Sequence, residues 1–258
     1  MRIEILKKFK IRKSVTIAIL FVGMISLISF VEKKQEGKVY KDIKVAVDNE
    51  FENYFIDEEE IIRLITLNNS ENIIGRKYED INLKLLEQRI KSHKFVESAQ
   101  VYKDLQGNLL AEIKQCRPIA RIIQTDGPDA YIGNKGSTLN TSEKYTARVV
   151  ILNGPFASII VKPNYLFSKE GKRYLEFLKL IDNDNFLKAQ IAQIFIERNG
   201  EIKLFPQVGD EIIEIGLPDD LNDKFFRLKI FYKKIIPQKG WNTYDLVNLK
   251  YKDQIICE

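Results

Sequence analysis

The sequence predicts an α+β protein: one amino-terminal membrane helix, then a small domain, then a mixed α/β domain ending in an edge strand. Three observations carry this. The run Val15 to Val31, "VTIAILFVGMISLISFV", holds no charge. The hydrophobic period of the next stretch reads strand, helix, helix, strand, strand within about eighty residues. In "AEIKQCRPIARI" the alternation meets Pro118 and then resumes, as at a joint between two sheets.

At about 1.5 Å per helical residue the uncharged run reaches roughly 25 Å, close to the core of a thin bilayer. Six basic residues precede it against Glu4 alone, so residues 1–13 are predicted to stay in the cytoplasm and the remainder to lie outside. The following "SFVEKKQEG" offers no small-x-small cleavage site and no lipid-acceptor cysteine, so we expect an uncleaved helix over 14–31 and a linker over 32–39.

The net charge of +5 invites a nucleic-acid reading. Of 41 basic and 36 acidic residues, six and one fall within residues 1–31, which leaves the rest formally neutral. The basic balance therefore reflects topology and not a phosphate-binding surface. Hydrophobic residues at 45% are enough for a packed core. Cys116 and Cys257 would meet an oxidising compartment, where a disulfide is permitted, although a small buried hydrophobe is the simpler role for Cys116.

The first domain is expected over 40–117. In "YKDIKVAVD" Ile43, Val45 and Val47 share a strand face. Asp57 can cap a helix whose third residue is Glu60, with Ile56 and Ile61 as a hydrophobic staple and Ile61, Ile62, Leu64 and Ile65 as the buried stripe. A second helix, "NLKLLEQRIKSH", aligns Leu83, Leu86 and Ile90. Ala99 and Val101, then Leu109, Ala111 and Ile113, mark two strands around a turn at "DLQGN". Both helices would cover one face of the sheet.

The second domain is expected over 118–258. Strands are read at "AYIGN" and "RVVILNG", then a helix at "KEGKRYLEFLKLID" with Tyr174, Leu175, Leu178 and Ile181 inward. "QIAQIFIER" and "EIKLFPQ" form a hairpin through Asn199-Gly200, and "EIIEIGL" follows. A long helix, "NDKFFRLKIFYKKII", should stop at Pro237, and "WNTYDLVNLKYKDQIICE" closes the chain in strands.

Catalytic chemistry finds little support. His93 is the one histidine, so no histidine triad or His-pair metal site can be assembled, and its place at a helix end fits solvent or the helix dipole. Cys116 with the distant His93 is a weak nucleophile pair. Glu58, Glu59 and Glu60 could suggest a carboxylate-dependent wall hydrolase, but acids in a first helical turn stabilise its positive end. No glycine-rich phosphate loop is present. We expect a non-enzyme with no catalytic, metal or cofactor-binding residues. Trp241, Tyr244 and Tyr251 in the last segment could be core or contact. A terminal strand at a sheet edge could accept a partner's strand.

The ordered segments "INLKLLEQRIKSHKFVESAQVYKD", "GNLLAEIKQCRPIARI", "YIGNKGSTLNTSEKYTARVVILNG" and "WNTYDLVNLKYKDQII" resemble the bacterial cell-division proteins FtsQ/DivIB, most in the form found in Bacteroidetes. The resemblance covers nearly the whole chain. It implies that 40–117 is a POTRA domain concerned with recruitment to the division site and that 118–258 is the FtsQ/DivIB-type β domain, with Arg117 and Pro118 as the junction. It further implies a non-catalytic scaffold in the inner membrane, with both domains periplasmic, that binds FtsB/DivIC-like and FtsL-like proteins and indirectly helps control the septal peptidoglycan synthase pair FtsW and FtsI. Partner binding by resemblance falls on the last strand: Tyr251, Lys252, Asp253, Gln254, Ile255 and Ile256, with Leu249 leading in. The competing readings are the wall hydrolase and a POTRA-bearing outer-membrane assembly component. The latter generally carries several POTRA repeats or a long barrel region, and neither pattern follows residue 117.

Overall fold

The computed structural model describes residues 20–24, 37–48 and 54–258. Residues 20–24 are helical, and the rest of the expected membrane helix over 14–31 lies outside the described residues, as does the tail over 1–13. Among the described residues no helix is long and apolar enough to cross a membrane.

The chain first builds a three-stranded sheet from β1 (Ile43–Asp48), β2 (Val96–Lys103) and β3 (Leu109–Gln115), in the order β1-β3-β2. β1 runs parallel to β3, and β2 antiparallel. Helices α1 (Glu58–Ile65) and α2 (Leu83–Lys91) lie between β1 and β2 in the sequence. Asp57 caps α1 as its spacing predicts, accepting the Glu60 N–H at 2.7 Å. Ile61, Ile65, Leu86 and Ile90 sink into a core shared with Ala99, Val101, Leu109, Ala111 and Ile113. Asp104 closes the β2–β3 turn by accepting the N–H groups of Gly107 and Asn108, and Gly107 takes φ +97°, where a side chain is strained.

After Cys116 and Arg117 the chain enters a nine-stranded mixed sheet. Its strands are β4 (Pro118–Ile122), β5 (Ala130–Gly133), β6 (Thr138–Asn140), β7 (Val150–Asn153), β8 (Ile191–Ile196), β9 (Ile202–Pro206), β10 (Ile212–Gly216), β11 (Leu246–Asn248) and β12 (Ile256–Cys257). Their spatial order is β12-β11-β10-β9-β8-β7-β4-β5-β6. The intervening helices are α3 (Ala157–Ile160), α4 (Gly171–Asn183), α5 (Asn185–Gln190) and α6 (Leu221–Ile230). Phe177, Leu178 and Ile181 of α4, with Phe225 and Leu228 of α6, share one core with Ile194, Ile196, Leu204, Ile213 and Val247 of the strands. α3, α5 and β6 are too short to show a period and were not foreseen in the sequence.

Two expectations need correction. Pro237 does not end the last long helix. The chain passes from α6 through a π-helical turn, Phe231–Ile235, into a final α turn, Ile236–Lys239, and stops at Gly240. The widened turn carries the chain past a residue that has no N–H and whose ring would crowd the carbonyl four residues back. Of the two settings expected for His93, solvent and the helix end, only the second holds: its side chain is 15% exposed just past the α2 cap Ser92, with Nε2 at 3.3 Å from Glu60 Oε1 and Nδ1 accepting the Phe95 N–H.

The two sheets interlock. Tyr131 and its cross-strand partner Leu139, on β5 and β6, point away from the helices and complete the core of the three-stranded unit. Phe55 stacks on Phe95 at 4.5 Å and meets the edges of Tyr131 and Tyr145 at 5.8 and 5.0 Å. The loop carrying Tyr145 is tied back by the Ala147 N–H, which donates to the Tyr131 hydroxyl. Lys135 pairs with Glu97 at 2.7 Å, and Arg117 with Asp182 of α4. The passage between the sheets is thus braced on both sides.

Candidate partner-binding edge

β12 closes one end of the nine-stranded sheet. It runs antiparallel to β11, with Val247 opposite Cys257 and Asn248 opposite Ile256. The Glu258 N–H donates to the Leu246 carbonyl at 3.0 Å and the Leu246 N–H to the Glu258 carbonyl at 3.2 Å. Hydrogen-bonded pairs alternate in an antiparallel ladder, so Cys257 belongs to the other kind, and its N–H and C=O point outward. Ile255 and Cys257 lay their side chains against the main core, while Ile256 between them faces the opposite side. Burial pushes the Cys257 thiol above its ordinary range.

The segment leading to this strand is not itself extended. Leu249 is 0% exposed and belongs to the core, so its side chain cannot touch a partner without unpacking. Tyr251, Lys252 and Asp253 form a turn, exposed to solvent, with Asp253 in the left-handed region at φ +57°. Gln254 is exposed and Ile255 half-buried. The expected site residues are therefore neighbours in space, but only Ile256 among them is in a strand, and the correction for Leu249 follows from its place in the core.

Arg227 of α6 folds this turn, and sequence reading passed over it. Its Nη1 donates to the Tyr251 carbonyl at 2.8 Å and to that of Gln254, and its Nη2 to the Leu249 carbonyl at 3.1 Å. Asp223, one turn earlier on the helix, accepts from Nε at 2.8 Å. An Asp-x-x-x-Arg spacing is the only signal in the sequence, and it is common on helix surfaces.

Beside β11, Glu214 of β10 accepts from Lys250 at 2.9 Å and from the Asn248 amide at 3.2 Å. The Lys250 ammonium holds the Glu214 carboxyl below the usual carboxylate range. Deeper in the unit, Tyr232 donates to the buried Glu211 at 2.6 Å, and its hydroxyl is raised well above its ordinary value by desolvation and then by that carboxylate.

The groups considered for chemistry lie elsewhere and do not converge. Glu58 and Glu59 are exposed in the first turn of α1, while Glu60 is engaged by Lys144 and His93. Cys116 is a buried free thiol pushed up to about 11 by desolvation, the reverse of what a nucleophile requires. Cys257 is likewise free. Trp241 is 53% exposed and leans on Tyr232, at 6.3 Å between ring centres.

Residues 117–258 match the family model described as FtsQ/DivIB, C-terminal related, which spans more than half of the chain. The chain belongs to the FtsQ/DivIB family. Residues 38–114 match a POTRA-like domain, in register with the three-stranded unit of this FtsQ/DivIB-family chain. No curated protein matches the sequence. Family membership gives the cell-division context, and the edge at β12 gives the feature in this structure suited to protein recognition.

Proposed function

We propose that this FtsQ/DivIB-family protein is a non-catalytic scaffold of the division machinery that receives a partner's strand along β12. The observation that carries the reading is the outward-facing backbone of Cys257 at the end of a nine-stranded sheet. An added strand would satisfy those groups and extend the ladder, while Ile256, half-buried on one face, would gain a cross-strand neighbour. The partners are of the FtsB/DivIC and FtsL types, and through them the protein acts on the septal synthase pair FtsW and FtsI. A single helix over 14–31 holds it in the inner membrane with both units outside. The POTRA-like unit serves recruitment to the division site, and Arg117-Pro118 is the domain boundary. The turn Tyr251–Gln254, Ile255 and the strand residue Ile256 form the contact surface, and Leu249 supports it from below.

The test is co-purification of the full chain with the organism's FtsB/DivIC-type protein, beside Cys257→Pro and Ile256→Lys. A proline at Cys257 removes an outward N–H without breaking the bond to β11, which edge strands tolerate. We expect both folded variants to lose the partner. Binding equal to that of the parent chain would reject strand addition at β12, and failure of the parent chain to bind would reject the partner assignment. Removing all residues after Asn248 is a poorer test, because it also strips Leu249 from the core.

A further inference from the structure

We propose that Arg227 is the positioning residue of the partner edge: it sets the register of β12 without touching the partner. The proposal rests on the strand-addition reading above. Between the end of β11 and the start of β12 lie seven residues, 249–255, outside any strand. The guanidinium presents five N–H donors in a fixed fork. It engages the carbonyls of Leu249, Tyr251 and Gln254 together with the Asp223 carboxylate, and its side chain is only 7% exposed. Three carbonyls from one turn held by one rigid group fix where the chain re-enters the sheet, and therefore which backbone groups of residues 255–257 face outward. A lysine keeps the charge but supplies a point donor on a flexible stem, so it cannot hold all three at once.

The experiment compares the full chain with Arg227→Lys, Asp223→Asn and, as a packing control remote from the edge, Ile194→Val. Two readouts are taken: amide hydrogen exchange of Ile256 and Glu258, whose N–H groups face β11, and affinity for the FtsB/DivIC-type protein. In Arg227→Lys we expect exchange at these amides to rise about tenfold or more and affinity to fall about tenfold or more. Asp223→Asn should move both in the same direction by less, and Ile194→Val should leave both unchanged. Parental exchange and affinity in a folded Arg227→Lys protein would overturn the assignment. Should that variant not fold, Asp223→Asn carries the same test, and parental values there overturn it equally. Failure of the parent chain to bind rejects the function reading alone, because the exchange measurement still decides the role of Arg227. Loss of binding in Cys257→Pro with parental behaviour in Arg227→Lys rejects the positioning role alone.

Discussion

Lys144 reaches from the second unit to the first and holds Asp57 and Glu60 together, with its ammonium 2.9 Å from a carboxylate oxygen of each. Asp57 is also the α1 cap, so one carboxylate serves helix and interface at once. Glu60, the third residue of that helix, is engaged by both Lys144 and His93.

Lys144→Met should therefore loosen the interface more than it unfolds either unit. The pair is half-exposed, so the expected cost is about 0.5–1 kcal/mol, shrinking with added salt. Hydrogen bonding from Lys144 holds the Asp57 carboxyl below its ordinary value. A depressed folded pKa stabilises above the unfolded value and loses that effect as pH falls through the folded one. The acid limb of the parent's unfolding curve should flatten in the variant, as thermal melts between pH 2 and 6 would record.

Pro118→Ala tests the passage between the sheets. Pro118 is buried at the start of β4 opposite Gly133, with a register shift before Ala120. We expect a stability loss of about 0.5–1 kcal/mol, a slight change in interdomain geometry and unchanged partner affinity. Loss of all binding with both units folded would contradict this.

Leu249→Ala separates support from contact. The side chain is fully buried, so truncation should cost about 2–5 kcal/mol by denaturant titration. Tyr251→Ala, at an exposed position, should cost under about 0.5 kcal/mol while reducing partner affinity.

Tyr232→Phe removes the hydroxyl that donates to Glu211, a residue 1% exposed. Leaving that buried carboxyl without this donor should cost about 1–3 kcal/mol. A melting temperature equal to the parent's would show that Glu211 is served by other groups.

Glu214 and Lys250 set a second acid-sensitive contact, next to β11. With the Glu214 carboxyl held low by Lys250, its contribution is complete above the ordinary glutamate value and fades as pH falls through the lowered one. Lys250→Met should remove that part of the acid dependence, by up to about 1 kcal/mol, and hydrogen exchange along β10 and β11 at pH 3 and 6 would reveal it.

What the sequence shows of this fold is what repeats locally. The Asp57 cap, the stripe of Ile61 and Ile65, and the alternation of Leu109, Ala111 and Ile113 each lie within one helix turn or strand, where period and capping leave a direct mark. The brace between the units leaves none, because Phe55 meets Tyr131 and Tyr145 across stretches of chain with no shared period. The π-helical turn before Pro237 is a choice between breaking and widening that only tertiary packing decides. At the edge, the placement of β12 depends on a guanidinium 22 to 27 residues upstream of the carbonyls it holds. The last strand expected over Tyr251–Ile256 is therefore a turn that enters β12 only at Ile256.

The nine-stranded sheet has a consequence for spacing. The POTRA-like unit is fastened over β5 and β6 at one extremity, and β12 is the other. Eight inter-strand steps of ~4.8 Å separate β6 from β12, a span of about 40 Å before twist is counted. On the strand-addition reading, a partner seated on β12 would lie about that far from anything held against the POTRA-like unit. The sheet then works as a ruler: whatever holds the first unit at a site in the cell also dictates how far from that site the open edge is presented.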